Sequence, residues 1–280
     1  MQRKILKGLL SHQYEHPFDK KAKDTLKSYK FLETLVRAFN AQGIERLLRI
    51  QYTGSNMKVN EKNFPEIYDI LCEACSILDM PFVPKLYIRW NYGINAMTAG
   101  VEDPIIVLNS GAVDLLSREE LLFVIGHELG HIKSMHVLYH QMAQVFPILG
   151  ELVGSITLGA GKLLSAGLQV ALLNWVRMSE FTADRAGLLT CQDPEVAAVA
   201  LMKLAGVPKK YFDKIRVEEF INQAKEFEDY DYDTLDKVAK YLSIMWQDHP
   251  WTVMRASELF KWVESGEYEG IMRDYSEKIA

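Results

Sequence analysis

Phe31, Leu32, Leu35, Val36 and Phe39 fall on one helical face, which predicts a helix over 28–42 with Gly43 as its stop. The short apolar run at 47–52 reads as a strand. A second helix is predicted over 64–79, with Asn63 as N-cap and Glu66 in its first turn, ending before Met80-Pro81 and Pro84. Three β-branched or aromatic segments follow, Lys85–Trp90, Gly93–Thr98 and Pro104–Leu108, separated by Asn91-Tyr92 and Gly100–Asp103. They predict a small, mostly antiparallel sheet. Ser117-Arg118-Glu119-Glu120 is a capping box opening an apolar-periodic helix that runs to about residue 141. Further helices are predicted near 172–190 and 195–205, the second opened by Asp193-Pro194-Glu195, and 209–280 is polar and helical in pattern with breaks at Asp248–Pro250 and Gly266. The class these elements imply is α+β and predominantly helical.

Composition narrows the possibilities. A chain of 280 residues that is 49% hydrophobic and 25% charged is globular, which excludes a disordered or fibrous protein. Its net charge of −5 supplies no concentrated basic surface, so no nucleic-acid partner is expected. Cys72, Cys75 and Cys191 are too few, and odd in number, for a disulfide framework. The apolar patch after Arg3-Lys4 is too short for a signal peptide, and a cytoplasmic location is expected. Charge is unevenly placed: residues 1–30 hold eight Lys/Arg against three Asp/Glu, while 217–236 hold eight Asp/Glu against Lys225 alone. Such runs read as two solvated surfaces, as mutual attraction of the ends, or as contact of the basic end with anionic lipid.

The helix opened at Ser117 carries His127-Glu128-Leu129-Gly130-His131. Histidines four apart on a helix sit about 40° apart around its axis, so both imidazoles can converge on one ion. Glu128 can then reach a metal-bound water without being a ligand and take its proton as general base. Catalytic zinc needs a third protein ligand beside one open position. The best candidate is Glu180, 49 residues beyond His131 on the next long helix, in Arg177-Met178-Ser179-Glu180-Phe181-Thr182-Ala183-Asp184. Asp184, one turn further along the same face, can accept an N–H from a ligand histidine and fix its tautomer. Apart from the histidine motif, Glu180 and Asp184 would also read as a surface carboxylate pair.

These residues resemble the M48 family of zinc metallopeptidases, which includes the HtpX-like and CAAX-prenyl-type proteases. Four ordered blocks carry the resemblance: Asn95-Ala96-Met97 with Gly100 and Pro104-Ile105-Ile106-Val107; Glu120 through His131; Glu180 with Ala183-Asp184; and His249-Pro250 followed by Arg255. Together they cover roughly residues 85–260. The resemblance implies a gluzincin-type core, one zinc per chain on His127, His131 and Glu180, and Glu128 as catalytic base. It further implies that Asn95, Ala96 and Met97 form an edge strand beside the cleft, to which an extended peptide can add. His249 would donate to the oxyanion or act as a gating fourth ligand, and Arg255 would organise its loop through a carboxylate.

Other features are read more plainly. On a continuous helix, His136 and His140 fall about 180° from His127 and His131, so they are taken as a separate, partly buried or surface pair. Cys72 and Cys75 lie on a helix whose stripe includes Ile67, Leu71, Ala74 and Leu78, and read as core thiols. His12 and His16 carry no signal. Residues 143–176 contain only Glu151 and Lys162 as charges, yet a span centred there would bury Lys162 at about 2.5–3.5 kcal/mol. The stretch is read as apolar helices packed on the core, with room for peripheral membrane association.

The chain is therefore expected to have an N-terminal helical extension at 1–45, a metallopeptidase core at 46–206, and a C-terminal helical region at 207–280 contributing His249 and Arg255. Its expected function is that of a zinc-dependent metalloendopeptidase acting on peptides or unfolded proteins. Two rivals are a zinc-containing peptide-binding scaffold without turnover and a membrane-bound protease acting on membrane substrates.

Overall fold

Helices dominate the computed structural model, which describes residues 3–28, 43–143, 161–229 and 251–277. They are α1 (Pro17–Lys27), α2 (Ile44–Ser55), α3 (Pro65–Ile77), α4 (Ser110–Leu115), α5 (Arg118–Lys133), α6 (Gly161–Cys191), α7 (Pro194–Leu204), α8 (Val217–Asp229), α9 (Thr252–Glu264) and α10 (Glu267–Glu277). Residues 137–143 add a short helical stretch after α5. Strands β1 (Met57–Val59), β2 (Lys85–Arg89), β3 (Ala96–Ala99) and β4 (Ile105–Asn109) form one sheet in the order β1-β2-β4-β3. The helix expected over 28–42 falls almost wholly outside the described residues.

The sheet is mixed. β1 pairs antiparallel with β2, and β3 with β4, but β2 and β4 run parallel because β4 inserts between β2 and its sequence neighbour β3. Its two faces follow the alternation of the strands. Leu86, Ile106, Leu108 and Ala96 join the main core beneath the helices, whereas Tyr87, Ile105, Val107 and Ala99 form a second cluster that Tyr52 of α2 covers. β4, layered on both sides, is buried along its whole length.

Three local expectations give way to tertiary structure. The strand expected at 47–52 lies within α2; the apolar run there is short enough to fit either period, and Ile44, Leu48 and Tyr52 recur at the helical spacing of four. Asn63 does not cap α3. The cap position is Phe64, in the left-handed region at φ 61°, and Asn60 Oδ1 takes the backbone N–H groups of Lys62 and Asn63 at 2.9 Å each. Nor does α5 continue to residue 141. It stops at Lys133 in a Schellman turn, with Met135 N–H donating to Ile132 O (3.1 Å) and His136 N–H to His131 O (3.0 Å). Met135 takes the left-handed position (φ 60°) that glycine ordinarily marks, which hides the stop from the sequence.

The N-terminal residues are integral to the core. Leu6, Leu9 and Tyr14 are buried in the main cluster, and Ala22 and Leu26 of α1 pack with Leu168, Leu172 and Trp175 of α6. His16 is buried rather than silent: its Nδ1 accepts Phe18 N–H as the cap of α1, and its Nε2 lies 3.1 Å from Glu258. Arg3 pairs with Glu73 and Glu119, so part of the basic end is matched by acids of the core surface. Cys75 and Cys191 are core thiols, each pushed up to about 12 by burial. No helix among the described residues is long and apolar enough to cross a membrane; 144–160 lies outside them.

The contact that brings the two chemically marked helices together is that of α5 with α6. Residues 120–131 of α5 are all buried. Gly126 and Gly130 lie against Thr190, Ala186 and Ala183 of α6; a Cβ on Gly130 would stand 2.6 Å from Ala186 Cβ, and one on Gly126 would overlap the Thr190 side chain. Gly130→Ala would gain about 1 kcal/mol of helix propensity but overpack this contact, at a cost of about 1–3 kcal/mol. The expected net result in chemical denaturation is a loss of stability, part of which Ala186→Gly in the same chain should restore.

Candidate metal centre

The capping box at the start of α5 is fully made. Ser117 Oγ accepts Glu120 N–H (3.3 Å), and Glu120 Oε2 accepts Ser117 N–H (2.8 Å) while also pairing with buried Lys203 (2.7 Å). The start of α5 is thereby fixed, and His127 and His131 follow one turn apart. They flank the glycine contact, so both rings lean toward α6 at Glu180, on the stripe that includes Ala183, Ala186 and Thr190.

His127 Nε2 lies 3.1 Å from His131 Nε2 and 3.4 Å from Glu180 Oε2, and His131 Nε2 lies 3.3 Å from Glu180 Oε1. Three bonds of about 2.0–2.1 Å at tetrahedral angles place donor atoms about 3.3–3.4 Å apart. The spacing thus suits a single small cation, and all three residues are buried, with 6%, 5% and 1% of their surface exposed.

Charge points the same way. Buried Glu128, Glu180 and Asp184 all act on Arg255, so three carboxylates face one guanidinium. That leaves a deficit of two positive charges, which a divalent cation matches. Without one, burial opposes charge on His127, but hydrogen bonds to Asp184 and Glu180 outweigh it and hold the ring at about 9. For His131 burial prevails over Glu180, and its pKa is lowered.

Asp184, one turn beyond Glu180, accepts from His127 Nδ1 at 2.9 Å. Arg255, from α9, holds this carboxylate bidentately, Nε to Oδ2 at 2.8 Å and Nη2 to Oδ1 at 2.6 Å, and reaches Glu180 at 3.7 Å. Burial raises the Asp184 pKa, but Arg255 overrides it and holds the carboxyl below its ordinary value. The His127 ring is thus fixed with Nε2 toward Glu180 and His131.

Behind His131 stand residues that no sequence motif singles out. The Schellman turn folds His136 back so that its Nδ1 lies 3.0 Å from His131 Nδ1, and its Nε2 lies 3.1 Å from Asp19 Oδ2. The helical-wheel separation of His136 from His131 fails because the helix ends between them. Asp19, fully buried, also accepts from Trp175 Nε1 and Thr182 Oγ1, each at 2.6 Å. Burial opposes its charge, but the bonds it accepts hold it at about 2. One sequence signal existed: Asp19 falls on the same face as Ala22 and Leu26, in register with the apolar stripe of α1. His140 packs its ring 4.8 Å from His131 and bonds Ser179.

Glu128 faces a cleft of about 210 Å³, large enough for a side chain, whose lining includes Ile94, Asn95, Ala96, His127, Glu180 and Arg255. β3 is the edge strand beside it. Ala96 lines the cleft and Asn95 just precedes the strand, while Met97 points to the opposite face, with Tyr52 and Tyr87. Thr98, on the cleft side of β3, donates its hydroxyl to Glu128 Oε2 at 2.5 Å, a contact invisible until strand and helix are docked. His249 lies outside the described residues.

Comparison with known proteins accords with this geometry. Residues 61–263 match the profile of peptidase family M48. The plastoglobule-localized metallopeptidase 48 of Arabidopsis thaliana, a chloroplastic protein, is 30% identical over 277 residues, 98% of this chain and 79% of its own. Protease HtpX homolog 2 of Methanosarcina mazei is 27% identical over 55% of this chain, and the protease HtpX homolog of Bifidobacterium longum is 29% identical over 61%. The alignments span 60% and 63% of those two relatives. No solved structure matches.

With His127 protonated below about 9 in the metal-free protein, cation uptake must displace that proton. At pH 7.5, calorimetry in buffers of differing ionisation enthalpy should show about one proton released per cation bound. Apparent affinity should climb with pH and level off above about 9.

Proposed function

From the premise that the chain belongs to peptidase family M48, we propose that it is a zinc-dependent endopeptidase acting on peptides or unfolded proteins. The observation that carries this reading is the convergence of His127, His131 and Glu180 on one point, with Glu128 in the same cleft. Two imidazoles and a carboxylate, with a position left for substrate or water, are the donor set of a catalytic zinc site. When bound, the metal supplies polarisation of the scissile carbonyl and acidifies a water.

The chain's own groups do the rest. The edge of β3 takes an extended peptide by backbone hydrogen bonds, with Asn95, Ala96 and Met97 setting its register over the cleft. Glu128 removes a proton from the attacking water and returns it to the leaving amine. Thr98 holds one carboxylate oxygen, Oε2, so the proton moves through the other. Arg255 keeps Asp184 ionised, and Asp184 keeps the His127 ring in its ligating tautomer. His249, six residues before Arg255, donates to the carbonyl oxygen as negative charge builds there.

Peripheral lipid contact through 143–176 belongs to the same reading, supported by its scarcity of charge and by the plastoglobule location in the plant relative's name. Co-flotation of the protein with liposomes, lost when apolar residues in this stretch are exchanged for polar ones, is the expected result.

The decisive experiment combines elemental analysis with a peptide-cleavage assay. Wild type should hold about one zinc per chain, and His127→Ala and Glu180→Ala should lose it. Glu128→Gln should keep the metal and lose turnover by at least about 100-fold, so a metallated, active Glu128→Gln variant would sink the mechanism. Thr98→Val should keep the metal and lower kcat by roughly tenfold, about 1.4 kcal/mol of barrier.

A further inference from the structure

The two ligand histidines are oriented by different means. His127 has a carboxylate directly at Nδ1, whereas His131 has a second imidazole there, with a carboxylate one ring further back. With both imidazoles neutral, the donor inventory fixes the direction of this second chain. Trp175 Nε1 can only donate, so Asp19 must accept at Oδ1. At Oδ2 Asp19 accepts from Thr182 and can accept from His136 Nε2–H as well. A His136 ring with its proton on Nε2 presents a lone pair at Nδ1, 3.0 Å from His131 Nδ1. His131 must then carry its proton on Nδ1 and present its own lone pair at Nε2, toward Glu180.

We propose that Asp19 and His136 are positioning residues for the metal ligand His131, a relay running from Asp19 through His136 to His131 that makes α1 a working part of the metal centre. The proposal rests on the reading of His127, His131 and Glu180 as the zinc site. Every member is buried: Asp19 at 0%, His136 at 1% and His131 at 5% exposure. The Trp175 edge packs 5.5 Å from the His136 ring, and His140 stacks on it at 6.2 Å, so the ring is held in place from two sides. The Schellman turn supplies the backbone geometry, since the same His136 residue donates its N–H to His131 O and turns its side chain to His131 Nδ1.

Two measurements test the relay. In zinc-loaded wild type labelled with ¹⁵N-histidine, multiple-bond proton–nitrogen spectra should show His136 protonated on Nε2 and His131 on Nδ1. In chelator competition, His136→Leu should weaken zinc binding by about 10- to 100-fold. Asp19→Asn should act in the same direction, and the double variant should be no weaker than His136→Leu alone. A purely structural role would lower the melting temperature of the metal-free variants and leave zinc affinity unmoved. A folded His136→Leu that binds zinc within about twofold of wild type, below the smallest loss ascribed to such partners, overturns the relay, as does a His136 proton found on Nδ1. If both variants fail to fold, the wild-type spectrum decides alone. A wild type that takes up no zinc overturns the site reading itself, and the relay with it.

Discussion

The metal centre depends on how closely two helices can approach. Side chains at a helix contact ordinarily hold the axes about 8–10 Å apart, and Gly126 against Thr190, with Gly130 against Ala183 and Ala186, lets α6 come in where a Cβ on α5 would stand. Each glycine immediately precedes a histidine, so the two pairs lie about 100° apart around the helix. Packing through the glycines therefore leaves the imidazoles at the margin of the contact, facing Glu180. Donor separations of 3.1–3.4 Å follow from this packing, and a methyl group between the helices would open them.

Such closeness gathers ionisable groups where water cannot screen them. Unpaired charges in such surroundings cost several kcal/mol each, and the centre meets that cost in two ways. Around His127 it uses direct pairing, with Arg255 held by Asp184 and within reach of Glu180. Around His131 it uses a second imidazole backed by a carboxylate that is itself satisfied by indole and hydroxyl donors. The remaining deficit falls on the site of the cation, so metal binding and the integrity of this part of the fold are coupled.

What could be seen in the sequence was whatever is local. The capping box at Ser117 and Glu120, the histidines four apart, and the Glu180–Asp184 pair on one face of a helix are all set by spacing along a single element, and each lies where its spacing implies. Features that need two elements were hidden. Nothing near Thr98 marks its hydroxyl for Glu128 until β3 lies across α5, and nothing near Asp19 marks it for His136 until α1 docks on α6. The order of the sheet escaped for the same reason, since a parallel β2–β4 pair is a tertiary decision. The end of α5 was concealed differently: a methionine took the left-handed position and the periodicity appeared to run on.

The residues around the metal site are widely separated in sequence, and this imposes an order on the maturation of the protein. Asp19 lies 163 residues before Thr182, and Arg255 lies 71 residues after Asp184. A chain growing on the ribosome exposes the Asp19 segment first, then the histidine helix, then Glu180, and only much later the arginine that neutralises Asp184. Until residue 255 has emerged, Asp184 lacks the guanidinium that holds it bidentately. A half-made chain therefore carries the recognisable histidine motif without the finished hydrogen-bonded centre.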